Sequence, residues 1–275
     1  MKTLPVQIGP LQLELELDEP CRRTFERCMD GFVSTETLSS RRHVTLISAL
    51  SYRQQAGPPT VAEQSFRLYH HATHSTVVYE PREEHATENP ATVGFLHALS
   101  LLALEHDSLL VHASAVVDQG HAWVFLGRSG AGKSTIASFF PPTDVLNDDF
   151  VLLSAGPEAR VYSQPFFGKS MSERTTRFRE APIRAAVTLS HGVHPADHPL
   201  NKRALLLALM NSAGLPRTAQ QFQGAALERA ARLTEALSGI ALTFPRAQEP
   251  TREYLTTLIN RRMAYTPEPD RMGRK

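Results

Sequence analysis

Leucine occupies every second position of Leu11-Gln12-Leu13-Glu14-Leu15-Glu16-Leu17, with polar side chains between. A period of two is the pattern of a strand with one buried and one wet face. Val6-Gln7-Ile8, Arg42 to Ile47, Ser65 to His70 and Ser75 to Glu80 carry strand-like runs of the same kind. Together they predict a small, mostly antiparallel α+β module over residues 1–90. The stretch Pro81 to Pro90 closes it, with turn formers at both ends and nothing apolar to bury.

From Thr92 the pattern switches to alternating helix and strand. Phe95, Leu96, Ala98, Leu99, Leu101, Leu102 and Leu104 are apolar almost all round a helix, which predicts a buried helix rather than an amphipathic one. Leu109 to Val117 and Ala122 to Leu126 read as apolar strands joined by Asp118-Gln119-Gly120, a hairpin turn. A glycine-rich loop follows, with room for about two helical turns before Pro141-Pro142, which cannot continue a helix. Val145-Leu146 and the apolar run Phe150 to Leu153 flank Asn147-Asp148-Asp149. Beyond them come strands at Ala185 to Leu189 and Ile240 to Phe244, and helices at Asn201 to Asn211, Thr218 to Leu237 and Thr251 to Met263. Residues 91–264 therefore read as a second domain. Residues 265–275 carry prolines and a glycine without apolar periodicity, the signature of a frayed tail.

The loop Gly127-Arg128-Ser129-Gly130-Ala131-Gly132-Lys133-Ser134 satisfies G-x-x-x-x-G-K-[ST], and an apolar strand precedes it while helix-compatible Thr135-Ile136-Ala137-Ser138 follows. Glycines let the backbone turn so that successive N–H groups face an anion, and the helix that follows presents its positive end to the same charge. Lys133 adds a point charge for terminal phosphates, and the Ser134 hydroxyl is of the kind that ligates Mg²⁺. The expected fold class is α/β: a phosphate-loop nucleotide-binding core on a mixed central sheet flanked by helices, preceded by the smaller α+β module.

A phosphate loop alone does not separate kinases from transporters, GTPases or motor ATPases; the next acidic element narrows the choice. Asp148 and Asp149 lie 15 and 16 residues after Lys133, much closer than the second acidic motif of transporter ATPases. One carboxylate can hold Mg²⁺ while the other accepts a proton from an attacking hydroxyl. His112 lies 15 residues ahead of Gly127, and the hairpin is expected to bring it against Asp148.

Composition removes other classes. Lys+Arg number 29 against 28 Asp+Glu, a net charge of +1, which gives no support to general nucleic-acid or membrane-surface binding. An apolar share of 41% with 21% charged residues is that of a globular chain able to bury a core. No apolar run reaches about 18 residues and the N-terminus has no leader pattern, so a soluble cytoplasmic protein is expected. Cys21 and Cys28, seven apart, read as a thiol pair on a helix rather than a disulfide framework.

Leu110-Val111-His112-Ala113-Ser114-Ala115, the loop Gly127 to Thr135, and Asn147-Asp148-Asp149 together resemble the bacterial HPr kinase/phosphorylase superfamily, especially its HPr-kinase-related branch, some members of which accompany peptide-modification gene clusters. The resemblance covers residues 95–155, and the rest of the C-terminal part by element order alone. It implies a core related to phosphoenolpyruvate carboxykinase and an ATP- and Mg²⁺-dependent kinase acting on a hydroxyl, a serine of a protein or peptide. Gly127, Arg128, Ser129, Gly130, Ala131, Gly132, Lys133, Ser134 and Thr135 would bind the nucleotide, and Ser134 and Asp149 the metal. Asp148 would be the general base, His112 its partner, and Lys133 the cation at the transferred group. Self-association is a weak implication of the same family. Thr135 stands where HPr kinases proper carry Glu, so neither HPr as acceptor nor the reverse phosphorolysis follows from the resemblance.

Two other readings use the same residues: a nucleotide-gated binding module that transfers little phosphate, and a phosphorylase or hydrolase acting on phosphoserine. Pro165-Phe166-Phe167-Gly168-Lys169 with Arg174, Arg177, Arg179 and Arg184 is a local basic region with candidate contacts to phosphate or to an acidic acceptor. The histidine sets His70, His71, His74 and His191, His194, His198 lack the spacing of a metal site.

Overall fold

The computed structural model describes residues 1–34, 42–53, 57–82, 89–168, 178–216, 218–245, 253–255, 257–258 and 260–261. The first sheet holds β1 (Lys2–Ile8), β2 (Leu11–Leu17), β3 (Arg42–Ser48), β4 (Val61–Ala62), β5 (Phe66–His70) and β6 (His74–Tyr79), ordered β1-β2-β3-β6-β5-β4. Its edges are antiparallel, but β2–β3 and β3–β6 are parallel. The centre thus departs from an antiparallel meander because α1 (Glu19–Met29) lies between β2 and β3, and a helical crossover returns the chain in the same direction. The leucines of β2 face inward at every second position, as the alternation demands.

α2 (Pro90–Glu105) begins where Asn89 caps it, its side chain accepting from Ala91 N at 2.9 Å, with Pro90 at the first position. Its all-round apolar character has a structural cause. Phe95, Ala98, Leu99, Leu101 and Leu102 enter the core of the first sheet, while Leu104 enters the core under the second. Phe25 of α1, Phe95 of α2 and Phe166 meet edge to face, with centroids 5.1 to 5.8 Å apart. Each ring's burial contributes about 1.5–3 kcal/mol, and the trio ties the first sheet's core to the segment leading into Gly168.

The second sheet comprises β7 (Ser108–Asp118), β8 (His121–Leu126), β9 (Val145–Asn147), β10 (Phe150–Ala155), β11 (Ala159–Tyr162), β12 (Glu180–His191), β13 (Ala196–Leu200) and β14 (Gly239–Phe244). β8, β12 and β14 run parallel and the remaining neighbours antiparallel, so the sheet is mixed. The β7–β8 hairpin closes through Gln119 (φ 47°) and Gly120 (φ 78°), the doubly left-handed turn that matches strand twist. Alternate residues of β8 serve two cores: Ala122, Val124 and Leu126 pack with α4 (Lys202–Ser212) and α5 (Gln223–Ala236), and Trp123 and Phe125 pack with α3 (Lys133–Ala137). A sheet covered on both faces needs such apolar strands.

α3 is shorter than two full turns, and a 3₁₀ turn at Gln220–Phe222 delays α5 relative to the expected helix from Thr218. Within the expected terminal helix, the described residues 253–255, 257–258 and 260–261 are helical, with Leu255 and Leu258 buried. The expected tail lies outside the described residues. Among the described residues no helix is long and apolar enough to cross a membrane. Cys21 is buried and Cys28 half-buried, and both are free thiols.

Candidate functional site

β8 ends at Leu126 and the chain passes through Gly127 to Gly132 into α3. Gly130 (φ 77°) and Gly132 (φ 97°) take left-handed backbone, and a Cβ at Gly132 would stand 2.7 Å from the Phe244 ring. Both conformation and space therefore require glycine there. Arg128, Ser129 and Gly130 are exposed, as is Thr135 on the short helix. Lys133 is only 6% exposed, and its Nζ donates to the carbonyls of Gly127 at 2.9 Å and Arg128 at 3.3 Å. Burial holds this amine below the ordinary lysine range, while the negative charge of Asp149 pulls the other way. The buried Ser114 hydroxyl donates to Lys133 O at 3.1 Å, anchoring the start of α3 to β7.

Asn147 organises the acid pair. Its Oδ1 accepts from the N–H groups of Asp149 at 2.9 Å and Phe150 at 3.1 Å, and its Nδ2 donates to Gln164 O at 3.1 Å and Phe166 O at 2.9 Å. This turn throws the two aspartates apart. Asp148 is 2% exposed, its Oδ1 accepts from Gly168 N at 2.7 Å, and its carbonyl accepts the Ser134 hydroxyl at 3.3 Å. A Cβ on Gly168 would come 2.9 Å from Asp148 Oδ2, so only glycine lets the backbone approach this closely. Asp149 turns outward, and its Oδ1 lies 3.0 Å from His112 Nε2.

The expectation that His112 meets Asp148 is thereby corrected: its partner is Asp149. β10 pairs with β7 so that Phe150 sits opposite His112 and the rings stack at 5.1 Å. The residue just before Phe150 reaches the imidazole, and the one before that is committed to the opposite side.

Two clefts open here. One of about 450 Å³ is bounded by the loop Gly127 to Ala131, the end of β12 through His191, and Asn211 and Ser212 of α4. It lies outside the carboxyl ends of the parallel strands β8 and β12, where open α/β sheets place ligands. The second, of about 300 Å³, has His112, Asp149 and Phe150 on one wall and residues 211–215 on another. Asn211 and Ser212 border both.

Sequence reading weighs His191 only within a histidine set without metal-site spacing, does not single out Asn211 or Ser212, and gives Asn147 no task of its own. His191 Nε2 lies 3.2 Å from Gly130 O, its ring edge-on to Phe244, so it braces the loop from the neighbouring strand. For Asn147 a signal exists, because Asn at a strand end before two acids is an Asx-turn former; for the others none does. Of the basic region, Arg179 precedes β12 and Arg184 lies within it; Lys169, Arg174 and Arg177 fall outside the described residues. Among the described residues no three His, Cys, Asp or Glu side chains gather as a metal cage.

No family profile matches the chain, and no curated protein does. Among solved structures, the HPr(Ser) kinase/phosphatase from Coxiella burnetii aligns over 56% of this chain and 97% of that one, at 11% identity and a TM-score of 0.34.

Proposed function

We propose that the chain is an ATP- and Mg²⁺-dependent phosphotransferase that moves the γ-phosphoryl group to a hydroxyl, a serine of a protein or peptide. The observation that carries this reading is that a glycine-rich loop, with the buried Lys133 bonded to its carbonyls, and a His112–Asp149 pair stand on adjoining clefts. The residues fit the nucleotide and the cation. Lys133 is a buried amine bonded to a loop that borders a cleft and has open space at Gly130. Magnesium is commonly held by one or two carboxylates plus phosphate oxygens and water rather than by an all-protein cage, and Ser134 with one carboxylate of the acid pair would supply that partial set. When bound, ATP supplies the phosphoryl group and Mg²⁺ offsets charge on its oxygens.

The geometry favours a division of labour opposite to the one the motif implies. Asp149 faces the smaller cleft with His112 orienting it, which suits a base that takes the acceptor hydroxyl's proton. Asp148 is closed in by Gly168 and sits behind Ser134, which suits holding the segment 164–168 and the cation's side of the site. Lys133 and the loop would hold the phosphates.

The test is label transfer from γ-labelled ATP with Mg²⁺ into an extract of the source organism, with ATP binding measured calorimetrically in parallel. Wild type should bind and label a discrete species, and Asp149→Asn should bind with similar affinity and label nothing. If Asp148→Asn alone abolishes labelling, the two roles are reversed. Tight binding by all forms with no labelling by wild type would replace the kinase reading by a nucleotide-gated module. Labelled protein that loses its phosphate only when inorganic phosphate is added would identify the phosphorylase.

A further inference from the structure

The smaller cleft does not end at Asp149. Val93, His97 and Leu215 also line a third cleft of about 440 Å³, whose far wall is the turn Glu63 to Phe66 of the first sheet and whose near wall includes Pro216. The two spaces adjoin along the wall that Val93, His97 and Leu215 share. Among the described residues the His97 side chain makes no hydrogen bond, its Nδ1 is buried without a partner, and its ring leans on Phe66 at 5.1 Å.

From this adjacency we infer that the acceptor is an extended peptide segment whose hydroxyl lies at Asp149 and whose flanking residues pass His97 into the cleft walled by residues 63–66 of the first sheet. The inference rests on the kinase reading and deepens it, since it makes the N-terminal sheet part of substrate recognition.

Three observations select this occupant. A small hydroxy compound with its reactive oxygen at Asp149 would fill the cleft of about 300 Å³ and leave the further one of about 440 Å³ empty. The walls combine apolar surface (Val93, Leu96, Phe66, Leu215) with polar groups at Gln64, Ser65 and His97, which serve the side chains and the backbone of an extended peptide. Among the described residues neither cleft is lined by Lys or Arg, while Asp149 and Glu63 stand in the inner and outer clefts. The acceptor is therefore a neutral or basic segment, not an acidic peptide or a phosphorylated metabolite.

The experiment compares wild type, Gln64→Trp and Leu50→Trp, using γ-labelled ATP, a positional-scanning serine peptide library and N-acetylserinamide. Gln64 is exposed on the outer cleft, whereas Leu50 is 75% exposed and lines none of the clefts described. Wild type should use the best peptides with kcat/KM at least tenfold above N-acetylserinamide and should reject acidic flanking residues. Gln64→Trp should lower the peptide-to-amide ratio at least tenfold through KM, and Leu50→Trp should behave as wild type. Equal use of peptide and amide by wild type, preference for acidic flanks, or an unchanged ratio in Gln64→Trp overturns the groove while leaving the kinase standing. Absence of label in every acceptor, despite ATP binding, removes both the groove and the kinase.

Discussion

Two aspartates in the two sheets show how differently one side chain is used. In the first sheet Asp18 is 5% exposed, with one carboxylate oxygen accepting from Ser48 N at 2.5 Å and the other from the Tyr79 hydroxyl at 2.5 Å. It joins the ends of β2, β3 and β6, and it has no room for a ligand. In the second sheet Asp149 is held on one side by His112 and opens on a cleft. Satisfaction from every direction marks a carboxylate that holds structure, and satisfaction from one direction marks one that can act.

The sharpest way to test that contrast is at Asp149. Asp149→Asn preserves shape but cannot take a proton, so transfer should fall by roughly 10²–10⁴-fold while the urea midpoint stays that of wild type. A large loss of stability would mean that Asp149 is as structural as Asp18.

Next in size is the aromatic trio that joins the two regions. Phe25→Ala removes a ring that is 1% exposed and touches both Phe95 and Phe166, which should cost about 3–5 kcal/mol. Because Phe166 O is held by Asn147, the loss should also slow transfer beyond what the unfolded fraction explains. Urea unfolding with activity measured on the folded fraction checks both. If activity per folded molecule is unchanged, the first sheet does not support the site.

Asp18→Ala strands a buried N–H and a buried hydroxyl, and leaving such groups unpaired costs about 1–3 kcal/mol each, so about 3 kcal/mol in all is expected. The activity of the folded molecules should match wild type, the reverse of the pattern at Asp149. The Tyr79 phenol is pushed well above its usual range by burial and by its bond to the Asp18 carboxylate, so it should not ionise at any pH the fold survives.

These differences also say what a single sequence can and cannot convey. Local features were readable: the alternation of β2, the Gln119-Gly120 turn and the buried circumference of α2 each depend on neighbours in the chain. The loop glycines are readable for the same reason, since φ at Gly132 is a local demand. Short strands such as β11 and Pro-containing β13 give no periodic run to detect. The pairing of His112 with Asp149 rather than Asp148 is decided by the turn that Asn147 makes, a matter of side-chain direction that two adjacent aspartates do not announce. The clefts lie further beyond reach, because His97, Asn211 and Leu215 come together only through the packing of α2 and α4 around β7.

The smallest effect concerns His97, which belongs to both regions. Burial pushes its imidazole from the ordinary 6.5 down to about 4, so the unfolded chain binds this proton more tightly than the native one does. Stability is then complete above pH 6.5, falls as the pH drops toward 4, and loses no more below that. At about 1.4 kcal/mol per pKa unit, and with allowance for the ring's partial exposure, the loss across this window is about 2 kcal/mol. His97→Gln removes it, so the difference in unfolding free energy between variant and wild type should change by that amount between pH 7 and pH 4. His70, also lowered by burial, slopes the same way in both proteins and cancels in the difference. A difference that stays flat with pH would show that His97 is hydrated in solution, and the clefts it joins would then be open to water as well as to an acceptor.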